Sequence, residues 1–206
     1  MKEQQDYIQD ITAMRSMMER TSKFMSLSGV AGVMAGVYAL AGALVAYTIF
    51  DFNPREIATI DSDGLSNGLT KIILSATLIL ILALGTAILL SYKKAIKRGE
   101  SIWNGTSKRL LINMLVPLAA GGILVLVLVS KGMIGLMAPL TLLFYGLALY
   151  NVSKYTYNEV RSLGLVQIIL GLIGCYFIQY GLILWAVGFG LVHIIYGIYI
   201  HYRYER

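Results

Sequence analysis

The run Ile72-Ile73-Leu74-Ser75-Ala76-Thr77-Leu78-Ile79-Leu80-Ile81-Leu82 decides the fold. It carries no charge, and its polar members, Ser75 and Thr77, do not recur at every second position. A strand of a membrane barrel alternates apolar and polar residues over about ten positions. This run does not alternate, and with its flanks it extends from about Thr70 to Tyr92. That is the length a helix needs to cross a hydrocarbon core about 30 Å thick. Lipid offers the backbone no hydrogen-bond partner, so a segment buried there must bond to itself as a helix.

Five further segments read the same way: about Phe24 to Phe50, Leu110 to Ser130, Met133 to Asn151, Ser162 to Gln179 and Leu182 to Tyr202. None of the six interiors holds Asp, Glu, Lys or Arg. The whole chain of 206 residues is 57% hydrophobic and 14% charged, with a mean hydropathy of +0.71. A soluble domain has about 25% charged residues. The expected fold is therefore all-α: a polytopic transmembrane bundle of about six spans (residues 24–206), preceded by an amphipathic helix over residues 1–23.

The formal charge is +6. The basic residues sit in short connections between apolar runs, which points to membrane orientation and not to nucleic acid. Fourteen of the 17 lysines and arginines fall on one side of the six-span scheme. They include Lys93, Lys94, Lys97, Arg98, Lys108 and Arg109 between spans two and three. Only Arg55, Lys71 and Lys131 fall on the other. Both termini are expected on the basic, cytoplasmic side. Residues 1–23 lack the pattern of a cleavable signal, so the first span is expected to act as an uncleaved anchor. On the opposite side, Ser130-Lys131-Gly132 and Gln179-Tyr180-Gly181 read as tight turns, each with a glycine suited to the left-handed conformation after a helix. The Asp51 to Gly68 connection is longer and acidic. Aromatic residues mark both interfaces, with Tyr47, Phe50, Phe52, Tyr180 and Trp185 at one and Tyr92, Trp103, Tyr150, Tyr155, Tyr199 and Tyr202 at the other.

In the arm, Tyr7, Ile11, Met14 and Met18 share one helical stripe. Four acidic and four basic residues cancel there, a poor match to a polybasic lipid anchor. The stripe suits docking to a cytoplasmic protein or a second subunit, or packing on the bundle's own cytoplasmic end. In span one, Ser28, Gly32 and Gly36 stand four apart and allow close helix approach. Pro117 and Pro139, with nearby glycines, interrupt the hydrogen-bond ladder and favour kinks in spans three and four, a feature of some transporter sites and of many spans with no transport role.

His193 is expected near mid-membrane, at a depth where an ionisable group is a candidate functional site. Ala186, Gly190, His193 and Gly197 share a face on ideal helical spacing, which turns the histidine into the bundle. Thr77, Thr86 and Thr141 are its expected hydrogen-bond partners if the role is structural; the alternatives are a proton or solute path, or haem ligation. With only two histidines and one cysteine, Cys175, a metal site within the chain lacks ligands. No activated nucleophile or GxSxG motif is present, and no cofactor is called for. The pairs Asn104-Gly105-Thr106 and Asn151-Val152-Ser153 match a glycosylation pattern but fall on the cytoplasmic side.

Two stretches resemble a group of uncharacterised multi-pass bacterial inner-membrane proteins. One is Met14-Arg15-Ser16-Met17-Met18-Glu19-Arg20 leading through Ser26-Leu27-Ser28-Gly29; the other is Gly188-Phe189-Gly190 with His193 and Tyr196-Gly197. The resemblance implies a bacterial cytoplasmic membrane and carries no activity. The functional expectation is a non-enzymatic protein of that membrane, sensing or scaffolding through residues 1–23. A small-solute or ion transporter using His193 is the alternative, and an intramembrane haem or redox protein a second one. The lipid bilayer is the expected partner; a homo-oligomer or a cytoplasmic protein would meet the arm, and no nucleic acid is expected.

Overall fold

A computed structural model describes residues 28–49, 62–97 and 103–205, with backbone alone for 62–70 and 72. The arm, with its stripe of Tyr7, Ile11, Met14 and Met18, lies outside the described residues. Those that are described form helices and short turns. The helices are α1 (Gly29–Thr48), α2 (Ser62–Lys97), α3 (Gly105–Ser130), α4 (Met137–Val152), α5 (Glu159–Tyr176) and α6 (Ile178–Tyr204). Each contributes a stretch long and apolar enough to cross a membrane. Helix α2 begins well before the expected Thr70, because polar residues from Ser62 onward continue the helix beyond the apolar run. Hydropathy marks the thickness of lipid, whereas the helical ladder ends where its hydrogen bonds end.

The helices alternate in direction, so α1 begins and α6 ends at the same end of the bundle, where the Gly29 N–H donates to Glu205 at 2.8 Å. Lys94, Lys97, Lys108, Arg109, Lys154, Arg161 and Arg203 lie toward that end, called here the basic end.

Helix starts and stops have local causes. Asn104 caps α3: its side chain accepts from the Ser107 N–H at 2.8 Å, and the Ser107 hydroxyl accepts from the Asn104 N–H at 3.0 Å, a reciprocal capping box. The residue read as part of a glycosylation pattern is thus the start signal of a helix. Gly132, at φ +76°, takes the left-handed turn after α3, as its position predicts. Gly181 does not take such a conformation. It is right-handed helical (φ −53°), and the chain reverses instead at Phe177 (φ −107°, ψ 67°) and a 3₁₀ turn over Ile178–Tyr180.

The two prolines differ in their effect on the helices. Helix α3 stays α-helical through Pro117, whose missing N–H leaves the Asn113 carbonyl to accept from Asn151 Nδ2 at 2.9 Å. Pro139 sits in the first turn of α4, where a missing N–H costs nothing. The interruption falls in α6, which is α-helical over Gly181–Trp185, π-helical over Ala186–Val192 and α-helical again over His193–Tyr204.

Two close seams build the core. In the first, α1 crosses α6 with glycines on both sides. A Cβ on Gly29 would meet the Gly197 carbonyl oxygen at 2.5 Å, one on Gly36 the Gly190 carbonyl oxygen at 2.6 Å, and one on Gly197 the Val33 nitrogen at 2.6 Å. In the second, α5 presents Gly164, Gly171 and Gly174 to Gly146, Leu143 and Pro139 of α4 at comparably short range. Leu149, Val152, Tyr157, Val160, Leu163 and Ile200 close the basic half. Helices α2 and α3 are outliers. Among their described side chains only Ala95 and Gly121 are buried.

Candidate functional site

His193 lies at the junction where the π segment returns to α-helix, only 5% exposed. A π turn widens the helix and shifts the later residues around the axis relative to ideal spacing. The face predicted for Ala186, Gly190, His193 and Gly197 is accordingly divided. Gly190 and Gly197 turn to α1, where Gly190 faces Leu40. His193 turns to α4 and α5, between Tyr145 and Gln167.

The tautomer assigned from this network carries its proton on Nδ1. Nδ1–H donates to the Gly188 carbonyl at 2.9 Å, and Nε2 accepts from the Tyr145 hydroxyl at 3.0 Å. The same carbonyl accepts from Gln167 Nε2 at 2.7 Å. That second bond sets the orientation of the amide, since the reverse would place two oxygens together. Gln167 has no exposed surface, and its Oε1 has no hydrogen-bond partner. Oε1 lies over the α-carbon of Gly188, so a Cβ there would meet it at 2.6 Å and Leu142 Cδ2 at 2.5 Å. Phe189 stacks on the imidazole with centroids 5.7 Å apart, and Trp185 packs on Phe189.

The expected threonine partners are corrected. Thr77, Thr86 and Thr141 each donate to a carbonyl of their own helix, those of Ile73, Leu82 and Ala138. A threonine in an apolar span can satisfy its hydroxyl on a carbonyl three or four residues back, without a partner helix. Tyr145 and Gln167 do the bonding instead. Both escaped a screen for charged residues because neither is charged. A sequence signal existed, since Gly164, Gln167, Gly171 and Gly174 follow at spacings of three, four and three, which puts the amide on the small-residue face of α5.

Of the helix-packing candidates, the structure brings Gly32 and Gly36 against α6, and Gly190 and Gly197 against α1. Ser28 precedes the helix in an extended conformation, and its side chain makes no cap. A second polar cluster at the basic end supplies that cap. Glu205 Oε1 accepts from the Gly29 N–H and from Lys94 Nζ, both at 2.8 Å, and Oε2 accepts from His201 Nδ1 at 2.5 Å. Burial raises the Glu205 carboxyl, but the bonds from Lys94, His201 and Gly29 outweigh it and hold the group at about 2. Beside it, Glu159 accepts from the Tyr204 hydroxyl at 2.9 Å and pairs with Arg203 at 3.1 Å.

Chemically, the mid-membrane cluster is a set of interhelical bonds. Both imidazole nitrogens are engaged, so ligation of a haem or metal by His193 would first break a bond to Tyr145 or Gly188. No group of three or more His, Cys, Asp or Glu placed to hold a metal occurs among the described residues.

Six apolar helices, close glycine seams and a polar cluster buried within them define a multi-pass helical membrane protein. No known protein family, curated protein or solved structure matches the chain.

Proposed function

We propose that this is a bacterial inner-membrane protein of the group its sequence resembles, non-enzymatic, with its basic end and both termini in the cytoplasm. It senses or scaffolds by holding a cytoplasmic protein through residues 1–23. The observation that carries the reading is the Gly29 N–H bond to Glu205. Whatever the arm holds is joined at Ser28 to a helix start that Glu205 fastens to α6 and, through Lys94, to α2. The positive-inside rule supports the orientation. Deleting residues 2–22 should abolish co-purification of the partner at unchanged membrane level, and equal recovery would reject the reading. Fusion reporters at the two termini should both report the cytoplasm.

A second reading, transport of a small solute or ion past His193, draws support from one observation. A π segment and an unpartnered buried acceptor, Gln167 Oε1, adjoin the histidine, and both features mark functional sites. Flux into liposomes that is equal for the wild type and His193→Ala would remove the residue from any such mechanism.

A further inference from the structure

Helix α2 crosses α1 where Ile79 meets Gly42. Ile79 enters the space left by Gly42, whose Cβ would meet Ile79 Cδ1. Beside this crossing a crevice of about 120 Å³ opens between α1, α2, α4 and α6, in the half of the bundle away from the basic end. Ala43, Ala46, Ala76, Ala138, Thr141 and Trp185 are among its walls. The Thr141 hydroxyl is occupied by the Ala138 carbonyl, so the lining is apolar in effect.

We propose that this crevice holds part of one acyl chain of an anionic phospholipid, with the phosphate at Lys71. Four observations favour that occupant. The crevice lies between membrane-spanning stretches, where the surrounding solvent is hydrocarbon. Its volume takes a few methylenes of one slender chain, whereas a partner helix is about 10–12 Å across. Lys71 is exposed and stands one and two turns before Ser75 and Ile79, both lining residues. It therefore lies on the same face of α2, about 6 Å toward the membrane surface from Ser75. Trp185 supplies the amphipathic ring that favours the headgroup level. A lysine at a membrane surface favours anionic headgroups by roughly fivefold.

The test is native mass spectrometry of the full chain released from detergent with phosphatidylglycerol or phosphatidylcholine added. One lipid should survive activation that strips the rest, with phosphatidylglycerol preferred by roughly fivefold. Ala76→Phe, at an exposed wall position, should lose the retained lipid. Lys71→Gln should keep it but lose the headgroup preference. Circular dichroism and elution volume show that each variant is folded. The proposal is overturned if the wild type retains no lipid, if Ala76→Phe retains as much as the wild type, or if Lys71→Gln keeps the preference. Displacement of the lipid by dimer formation would assign the crevice to a second copy and overturn it equally.

Discussion

At the residue scale, the Gly188 carbonyl is the hub: two side-chain donors from two helices converge on it. Interhelical hydrogen bonds within membranes contribute about 0.6 kcal/mol on average and up to about 1.7. Tyr145→Phe removes one such bond with little change of shape, so its cost in a denaturation assay in detergent should fall in that range. His193→Ala removes bonds to two neighbours and leaves a cavity under Phe189, so it should cost more, roughly 2–4 kcal/mol. If the two variants proved equally stable, the imidazole would not be the junction described. Gly188→Ala is a sharper probe. Its new methyl would meet Leu142 and the unpaired Gln167 oxygen at van der Waals overlap, so destabilisation by about 1–3 kcal/mol is expected. Gln167→Leu, which deletes that oxygen, should relieve part of the penalty in the double variant. His193 was legible in the sequence as the buried ionisable group of span six. Its partners were not, because a screen built on formal charge passes over an amide and a phenol that lipid makes equally dependent on partners.

At the element scale, the seams are tests of backbone proximity. Gly197→Ala places a methyl against the Gly29 carbonyl and the Val33 nitrogen, atoms that cannot rotate away, so α1 and α6 must separate. Gly85→Ala, on the outlying face of α2, meets nothing within 4 Å. It should be neutral or stabilising by up to about 1 kcal/mol, the helix propensity difference. A cysteine crosslink between α1 and α6 would separate a local defect from true helix separation, since only the latter lowers its yield in Gly197→Ala. The spacing Ser28, Gly32, Gly36 announced a close crossing, and the apolar runs announced six helices. What spacing could not announce is the π segment. Counting at 3.6 residues per turn assumes an unbroken ladder, and the widened turn through Gly188 and Gly190 is packed by contacts to α1, α4 and α5 that are remote in sequence. The prolines misled for the opposite reason. Pro139 looks like a breaker in a long apolar run, yet the helix it belongs to starts only two residues earlier.

At the scale of the whole molecule, a bonded core of α1, α4, α5 and α6 carries two outlying helices, and the Glu205 cluster ties one of them, α2, to the core. Lys94 and Glu205 keep only 12% and 11% of their side-chain surface exposed, so this pair is shielded more than an ordinary surface ion pair. Glu205→Gln removes the charge while keeping an acceptor for the Gly29 N–H, and should cost about 1–3 kcal/mol near neutral pH. The acid limb gives a second reading of the same group. Its folded value, about 2, lies below its ordinary value of 4.5, so the unfolded chain binds the proton more tightly. The stabilisation is therefore fully present above 4.5 and drains away as pH falls from there through about 2. Thermal unfolding in detergent, followed across that window, should show the wild type converging on Glu205→Gln as the pH drops. Parallel curves with a constant gap would mean that the carboxylate is not held by Lys94, His201 and Gly29 as described. The cluster would then be an exposed contact of little consequence to the joining of arm, first helix and last.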